Sequence, residues 1–243
     1  MKAMNEIFPE FIEVPDLSEG QKAEWNERVE RFDAETLERY MSDKFMKCGL
    51  GTEYLGCSFG SFRTDSPGQL KMKNSAMKFC TDVKGGKPMN LVFSGSCGTG
   101  KTHICAAILR EFAGHVKKYA YGLPVYSTIR YATIFDISDE LHRTASRSSV
   151  MAGFRNYDIL VVDEVGRQVN RFENEADLLF QIVDTRYQAG KSTVFATNIA
   201  GKKLGSCFNE ATASRLKAFN RLIYCDSQDI PDQRISGEKI HTA

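Results

Sequence analysis

Leu91-Val92-Phe93-Ser94-Gly95-Ser96-Cys97-Gly98-Thr99-Gly100-Lys101-Thr102 reads as a short apolar strand, a glycine-rich loop and the start of a helix. The loop satisfies G-x-x-x-x-G-K-T through Gly95, Gly100, Lys101 and Thr102. Glycines at these places let successive backbone N–H groups turn inward onto phosphate oxygens, and the following helix N-terminus adds partial positive charge. In such a loop the lysine, here Lys101, reaches the β and γ phosphates, and the threonine hydroxyl, here Thr102, ligates magnesium. The eight-residue pattern alone can arise by chance. Here an apolar strand precedes it, and Ile104, Ile108 and Phe112 follow at i, i+4 and i+8, the spacing of a helix with one buried face. The stretch Gly95, Ser96, Cys97, Gly98, Thr99, Gly100, Lys101, Thr102 and His103 is therefore expected to hold a nucleotide.

Outward from the loop, Pro124 to Ile129 is the next strand candidate, followed by a helix with Ile134, Ile137 and Leu141 on one face. Asp158-Ile159-Leu160-Val161-Val162-Asp163-Glu164 then places four consecutive aliphatics before two acids. Such a run fits a strand buried on both faces of a parallel sheet, and its C-terminal end is where open α/β sheets bind ligands. Asp163 is expected to orient magnesium through its waters, and Glu164 to polarise the attacking water. A further strand, Thr193-Val194-Phe195-Ala196, ends in Thr197-Asn198; inserted between the other two, it would bring Asn198 near the γ phosphate. Between them lies a helix over Asn174 to Ala189 that buries Leu178, Leu179, Ile182 and Val183, and a last strand covers Arg221 to Cys225. Arg215 lies a short helix before that strand, where an oligomeric ATPase offers an arginine to the neighbouring subunit's γ phosphate. The fold class is α/β: a three-layer αβα arrangement around a five-stranded parallel sheet. No N-K-x-D guanine-reading motif follows Asn198, which disfavours a GTPase. A small-molecule kinase would share the loop but has little use for Glu164, Asn198 and Arg215 together.

The chain has 243 residues, 42% of them hydrophobic, with a net charge of +1. That charge is a cancellation. Residues 1–45 hold 12 acids and 6 bases, and the remaining residues hold 19 acids and 26 bases. An acidic appendage on a basic body points to separate partners for the two parts. Ser18 and Gln21 can form a capping box, and Trp25, Val29, Phe32, Leu37, Tyr40, Met41 and Phe45 recur at helical spacing until Gly49 and Gly51. We read residues 1–60 as a helical partner-binding region with a glycine-rich linker, and 61–243 as the ATPase domain. The seven cysteines are scattered without a C-x-x-C pair, as expected of reduced thiols, and no zinc set is expected. No run approaches the roughly 18 apolar residues of a membrane span, and acids in the first thirty residues argue against an export signal, so a cytoplasmic location is expected.

Together these residues resemble the AAA+ ATPases of the DnaC/IstB type, the replicative-helicase loaders and their transposition relatives. The resemblance covers roughly residues 45 to 225. Its more telling stretches are Gln181-Ile182-Val183-Asp184-Thr185-Arg186-Tyr187 and Ser214-Arg215-Leu216, with Cys57-Ser58-Phe59 upstream. It implies ATP and magnesium as cofactors, nucleotide roles for Lys101, Thr102, Asp163, Glu164 and Asn198, and a trans-acting finger at Arg215. It also implies loading of a DnaB-type helicase onto single-stranded DNA, gripped through the N-terminal region by an ATP-dependent oligomer. The alternative within the family is an IstB-like regulator that binds duplex DNA and a transposase. About eighteen residues follow Cys225, too few for the helical lid carrying a second sensor in most AAA+ proteins; Arg234 is a substitute candidate. Single-stranded DNA needs basic groups with interleaved aromatics. Lys117, Lys118, Tyr119 and Tyr121, then Tyr126, Arg130 and Tyr131, then Arg143, Arg147 and Arg155 supply both.

Overall fold

The computed structural model describes residues 18, 20–21, 34–120, 123–167, 175–218, 221–227, 229–230 and 232. In chain order the elements are α1 (Ala34–Met46), α2 (Pro67–Lys84), β1 (Asn90–Ser94), α3 (Lys101–Ala113), β2 (Val116–Ala120), β3 (Leu123–Tyr126) and β4 (Ile129–Thr133). They continue with α4 (Ile134–Arg143), α5 (Arg147–Asn156), β5 (Ile159–Val165), α6 (Glu175–Gln188), β6 (Ser192–Thr197), α7 (Glu210–Lys217) and β7 (Leu222–Asp226). Five strands form one sheet in the order β4-β5-β6-β1-β7, and every neighbouring pair is parallel. The strand ending in Asn198 is thus inserted between those of the phosphate loop and of Asp163, as the sequence reading requires.

Side chains alternate across a strand, so each apolar run feeds two cores. Leu91, Phe93, Val161, Val194 and Ala196 face one layer with Met72 and Phe79 of α2 and Ile104, Ile108 and Phe112 of α3. Val92, Leu160, Val162 and Phe195 face the other with Ile134, Ile137 and Leu141 of α4 and Leu179 and Ile182 of α6. Local signals start the helices. Ser66 and Gln69 close a capping box ahead of Pro67, Thr133 and Asp136 do the same for α4, and Asn209 caps α7. No helix among the described residues is long and apolar enough to cross a membrane.

Two expectations are corrected. The second sheet strand is Ile129–Thr133, not Pro124 to Ile129; Leu123–Tyr126 pairs instead with Val116–Ala120 as an antiparallel hairpin outside the sheet. Pro124, Val125 and Tyr126 are only half-buried, whereas a strand under a helical layer needs buried apolar positions. Ile129–Thr133 runs parallel to β5, with Ile129 and Ala132 buried. The stretch read as a glycine-rich linker, Gly49 to Gly60, is packed: Leu50 and Cys57 within it, and Cys48 and Phe62 beside it, are buried in the same core as α2 and α3, and Arg110 of α3 donates to the Cys57 carbonyl at 2.9 Å. Its glycines serve turns beneath buried side chains. Gly49, at φ +101, passes so close to β4 that a Cβ there would clash with the Tyr131 carbonyl oxygen.

Helix α1 docks through Phe45, which is buried, and through Lys44, whose ammonium lies 5.5 and 5.3 Å from the Tyr40 and Tyr126 ring centroids. Desolvation there lowers the Lys44 pKa to about 8. Of the capping box expected at Ser18, the Gln21 side chain accepts from the Ser18 N–H and hydroxyl at 3.0 and 2.9 Å. Trp25, Val29, Phe32, Tyr121 and Arg234 lie outside the described residues.

Candidate nucleotide site

The site forms where the C-terminal ends of β1, β5 and β6 meet. Leaving β1, the chain turns at Gly95, Gly98 and Gly100, all with positive φ, and Gly100 stands as the left-handed residue before α3. Only glycine takes these conformations without strain. Neighbours brace the loop on both sides. The Gly95 N–H donates to the Thr197 carbonyl of β6 at 3.2 Å, while the Ser227 hydroxyl, beyond β7, donates to the Ser94 carbonyl at 2.9 Å and lies 3.2 Å from the fully buried Thr99 hydroxyl. Ser96 and Cys97 are exposed on the outer turn. The Asp232 carboxylate approaches Gly98 so closely that a Cβ there would clash with it.

Lys101 is buried and its ammonium donates to the Gly95 and Ser96 carbonyls at 2.8 and 2.6 Å. The charge is thereby held inside the loop. The Thr102 hydroxyl donates to Asp163 Oδ2 at 3.0 Å, tying the start of α3 to the end of β5. A hydroxyl and a carboxylate are the hard oxygen donors magnesium takes, and magnesium in such sites completes its shell from phosphates and waters. The residues therefore fit that ion. His103 turns elsewhere: its ring lies 3.3 Å from the Ser61 hydroxyl and 3.2 Å from the Ser58 carbonyl, edge-on to Phe62. Burial lowers its pKa.

At the end of β5 the ladder to β6 slips between Val162 and Val165. Such a bulge re-aims the residues it contains. Asp163 and Glu164 occupy it, and Glu164 has φ +59, the only non-glycine residue with positive φ among those described. A side chain held there costs about 1–3 kcal/mol and persists where surrounding structure enforces it, commonly at functional sites. The Glu164 N–H bonds Asp163 Oδ1 at 2.6 Å, and its carboxylate pairs with Arg167 at 2.6 Å. Asn198 is exposed directly after Thr197, whose carbonyl receives the Gly95 N–H, so the β6 exit stands beside the loop's first glycine. Lys101, Thr102, Asp163, Glu164 and Asn198 are thus brought to one end of the sheet.

Arg215 is not among them. It pairs with Asp184 at 2.5 Å, donates to the Ala211 carbonyl at 3.3 Å and lies over the Phe180 ring at 4.6 Å. These partners belong to α6 and α7, none to the phosphate loop.

The basic and aromatic residues read for DNA disperse. Arg130 and Arg143 share a cleft with Asp136, Asp139 and Glu140, and pair with Glu140 at 3.6 Å and Asp139 at 3.0 Å. Tyr126 lies against Tyr40, Arg147 opens α5, and Arg155 is exposed at its end. Tyr131 turns inward, its hydroxyl donating to Asp163 Oδ2 at 2.9 Å; burial and the Asp163 charge hold its pKa far above the usual phenol value. Sequence reasoning missed three contributors here: Tyr131 as a site residue, Arg167 and Ser227. No sequence signal marks Tyr131, because its aim is set by the register of β4 against β5.

This sheet order, with a phosphate loop after its fourth strand and an acidic pair in the last residues of its second, defines a P-loop NTPase of the AAA+ arrangement. The chain belongs to the family described as IstB-like ATP binding protein, whose model matches residues 69–226. It is similar to the replicative helicase loader DnaC of Escherichia coli (strain K12), with 26% identity over 238 residues, 96% of this chain and 92% of that protein. Among solved structures, "Crystal Structure of the DnaI" superposes with a TM-score of 0.58 at 19% identity, over 74% of this chain and 92% of that one. "Crystal structure of the DnaC helicase loader" superposes with a TM-score of 0.57 at 21% identity, over 72% and 99%. At those identities the superpositions speak for the fold.

Proposed function

We propose that the chain binds and hydrolyses ATP and uses the cycle to load a DnaB-type ring helicase onto single-stranded DNA. The observation that carries this is the reach of the likeness to the helicase loader, 96% of the chain. It extends past the ATPase segment at 69–226 into the N-terminal region, where a partner would be gripped. A transposition ATPase is the second reading, favoured by the family description alone.

In the proposed reaction the loop N–H groups and Lys101 hold the phosphates, with Lys101 leaving the Gly95 and Ser96 carbonyls for the β and γ oxygens. Thr102 and Asp163 would hold magnesium, which neutralises charge between those phosphates. Asn198 and Glu164 orient a water; Glu164 takes its proton as the oxygen bonds to the γ phosphorus and ADP departs. Glu164 must leave Arg167 to do so. Arg215 is read as a finger for the neighbouring subunit, held by Asp184 and Phe180 until that subunit arrives. Arg215→Ala should keep nucleotide affinity but lose the part of turnover that rises with protein concentration; a concentration dependence matching the parent's removes that role.

Co-purification with the cognate replicative helicase tests the function. A complex that forms with the full chain and is lost on deleting residues 1–45 is expected. Capture of a transposase, with no helicase complex, would favour the second reading.

A further inference from the structure

We propose that Tyr131 is a positioning residue for Asp163: its hydroxyl holds the carboxylate in the orientation that serves the magnesium site. The inference rests on the ATP-site reading above. Strand β4 lies beside β5 with Tyr131 in register with Val161 and Thr133 with Asp163, so the phenol reaches along the sheet to the strand end. Its hydroxyl and that of Thr102 meet the same oxygen, Asp163 Oδ2, at 2.9 and 3.0 Å, while the Glu164 N–H occupies Oδ1 at 2.6 Å. A carboxylate gripped from three directions cannot rotate without breaking a charge-assisted hydrogen bond. The Thr102 hydroxyl must also serve the metal; the Tyr131 hydroxyl donates its proton to Asp163.

The tyrosine is itself held firmly. Its N–H donates to the Cys48 carbonyl at 2.7 Å, and Gly49 presses against its carbonyl oxygen. Both residues follow directly on the end of α1 at Met46. The phenol is thus set by the sheet on one side and by the chain leaving the N-terminal helix on the other, which ties the carboxylate's orientation to how α1 is docked.

Tyr131→Phe keeps the ring and removes the donor. In the full chain, binding of a fluorescent ATP analogue is measured while Mg²⁺ is titrated. The half-saturating Mg²⁺ concentration should rise about tenfold, as for loss of a hydrogen bond to a charged group, with affinity in EDTA unchanged. If the variant is less stable, thermal melting still decides. The rise in Tm conferred by analogue plus Mg²⁺ should shrink relative to the parent, whereas the rise conferred in EDTA should not. A tyrosine that only packs the core would lower every Tm alike and leave the Mg²⁺ dependence in place. Equal Mg²⁺ dependence in variant and parent overturns the inference and leaves the ATP reading standing. A parent chain that binds no nucleotide with Mg²⁺ overturns both.

Discussion

Lys101→Ala is expected to weaken nucleotide binding by on the order of a hundredfold or more, the cost of removing one partner of a buried, hydrogen-bonded charge pair. The ammonium sits inside the loop on the Gly95 and Ser96 carbonyls, so it is already desolvated and already next to the phosphate position. Alanine removes the charge and leaves those two carbonyls without their donor. The Lys101 side chain carries no part of the hydrophobic core, and α3 keeps its apolar face of Ile104, Ile108 and Phe112. The variant should therefore fold normally, with an unchanged far-ultraviolet circular dichroism spectrum and Tm close to the parent's. Isothermal calorimetry with ATP and Mg²⁺ measures the loss; affinity within threefold of the parent would contradict the assignment of the loop.

Glu164→Gln should leave binding unchanged and cost turnover at least as much. The amide keeps the side chain's size and its place in the strained bulge, but it cannot take a proton from water. General-base removal costs roughly 10²–10⁴ in rate. ATP should stay bound with parental affinity, and single-turnover hydrolysis should fall by that factor. Full hydrolysis in the variant would show that another group activates the water. Loss of the Arg167 pairing adds a secondary signature: Arg167→Ala alone should leave Glu164 competent and the rate at or above the parent's.

Much of the site was legible because its residues are adjacent in sequence or sit at strand ends. Gly95 to Thr102 and Asp163-Glu164 are contiguous motifs whose geometry follows from the strand, turn or bulge that carries them. The sheet order was legible too, since the apolar strand ending in Thr197-Asn198 follows the Asp163 strand by a single helix and fits between it and the loop strand. Tyr131 was not. Its neighbours Lys117, Lys118, Arg130 and Arg143 made it one member of a basic, aromatic stretch, and only the pairing of β4 with β5 shows which way the ring points. The misplaced second strand contributed, because Pro124 to Ile129 would have left Tyr131 beyond the strand. Arg186 was likewise opaque. It reads as the charged end of a helix, yet it is buried and donates to the Phe154, Tyr157, Asp158 and Ser192 carbonyls and to the Thr193 hydroxyl, joining α6 to α5, to the connection ahead of β5 and to β6. Five acceptors from three segments satisfy a buried guanidinium, and no local pattern announces such convergence. The residues around Gly49 failed as a linker for a related reason: glycine content reports turn geometry, whereas burial here is decided by the cysteines, Leu50 and Phe62 between the turns.

The charge asymmetry retains its use. The acidic first 45 residues and the basic remainder motivate the proposed protein-gripping and DNA-facing ends, but the cleft holding Arg130 and Arg143 also holds acids that pair with them. Single-stranded DNA would have to displace those acids or bind elsewhere on the body.

The most direct measurement is helicase loading itself: the cognate ring helicase and circular single-stranded DNA are mixed with the full chain and ATP, and helicase retained on the circle is quantified after gel filtration. Retention should depend on the chain and on ATP, and should be lost with Lys101→Ala. Helicase retention that is the same with and without the chain, although the chain binds ATP, would contradict the loader assignment.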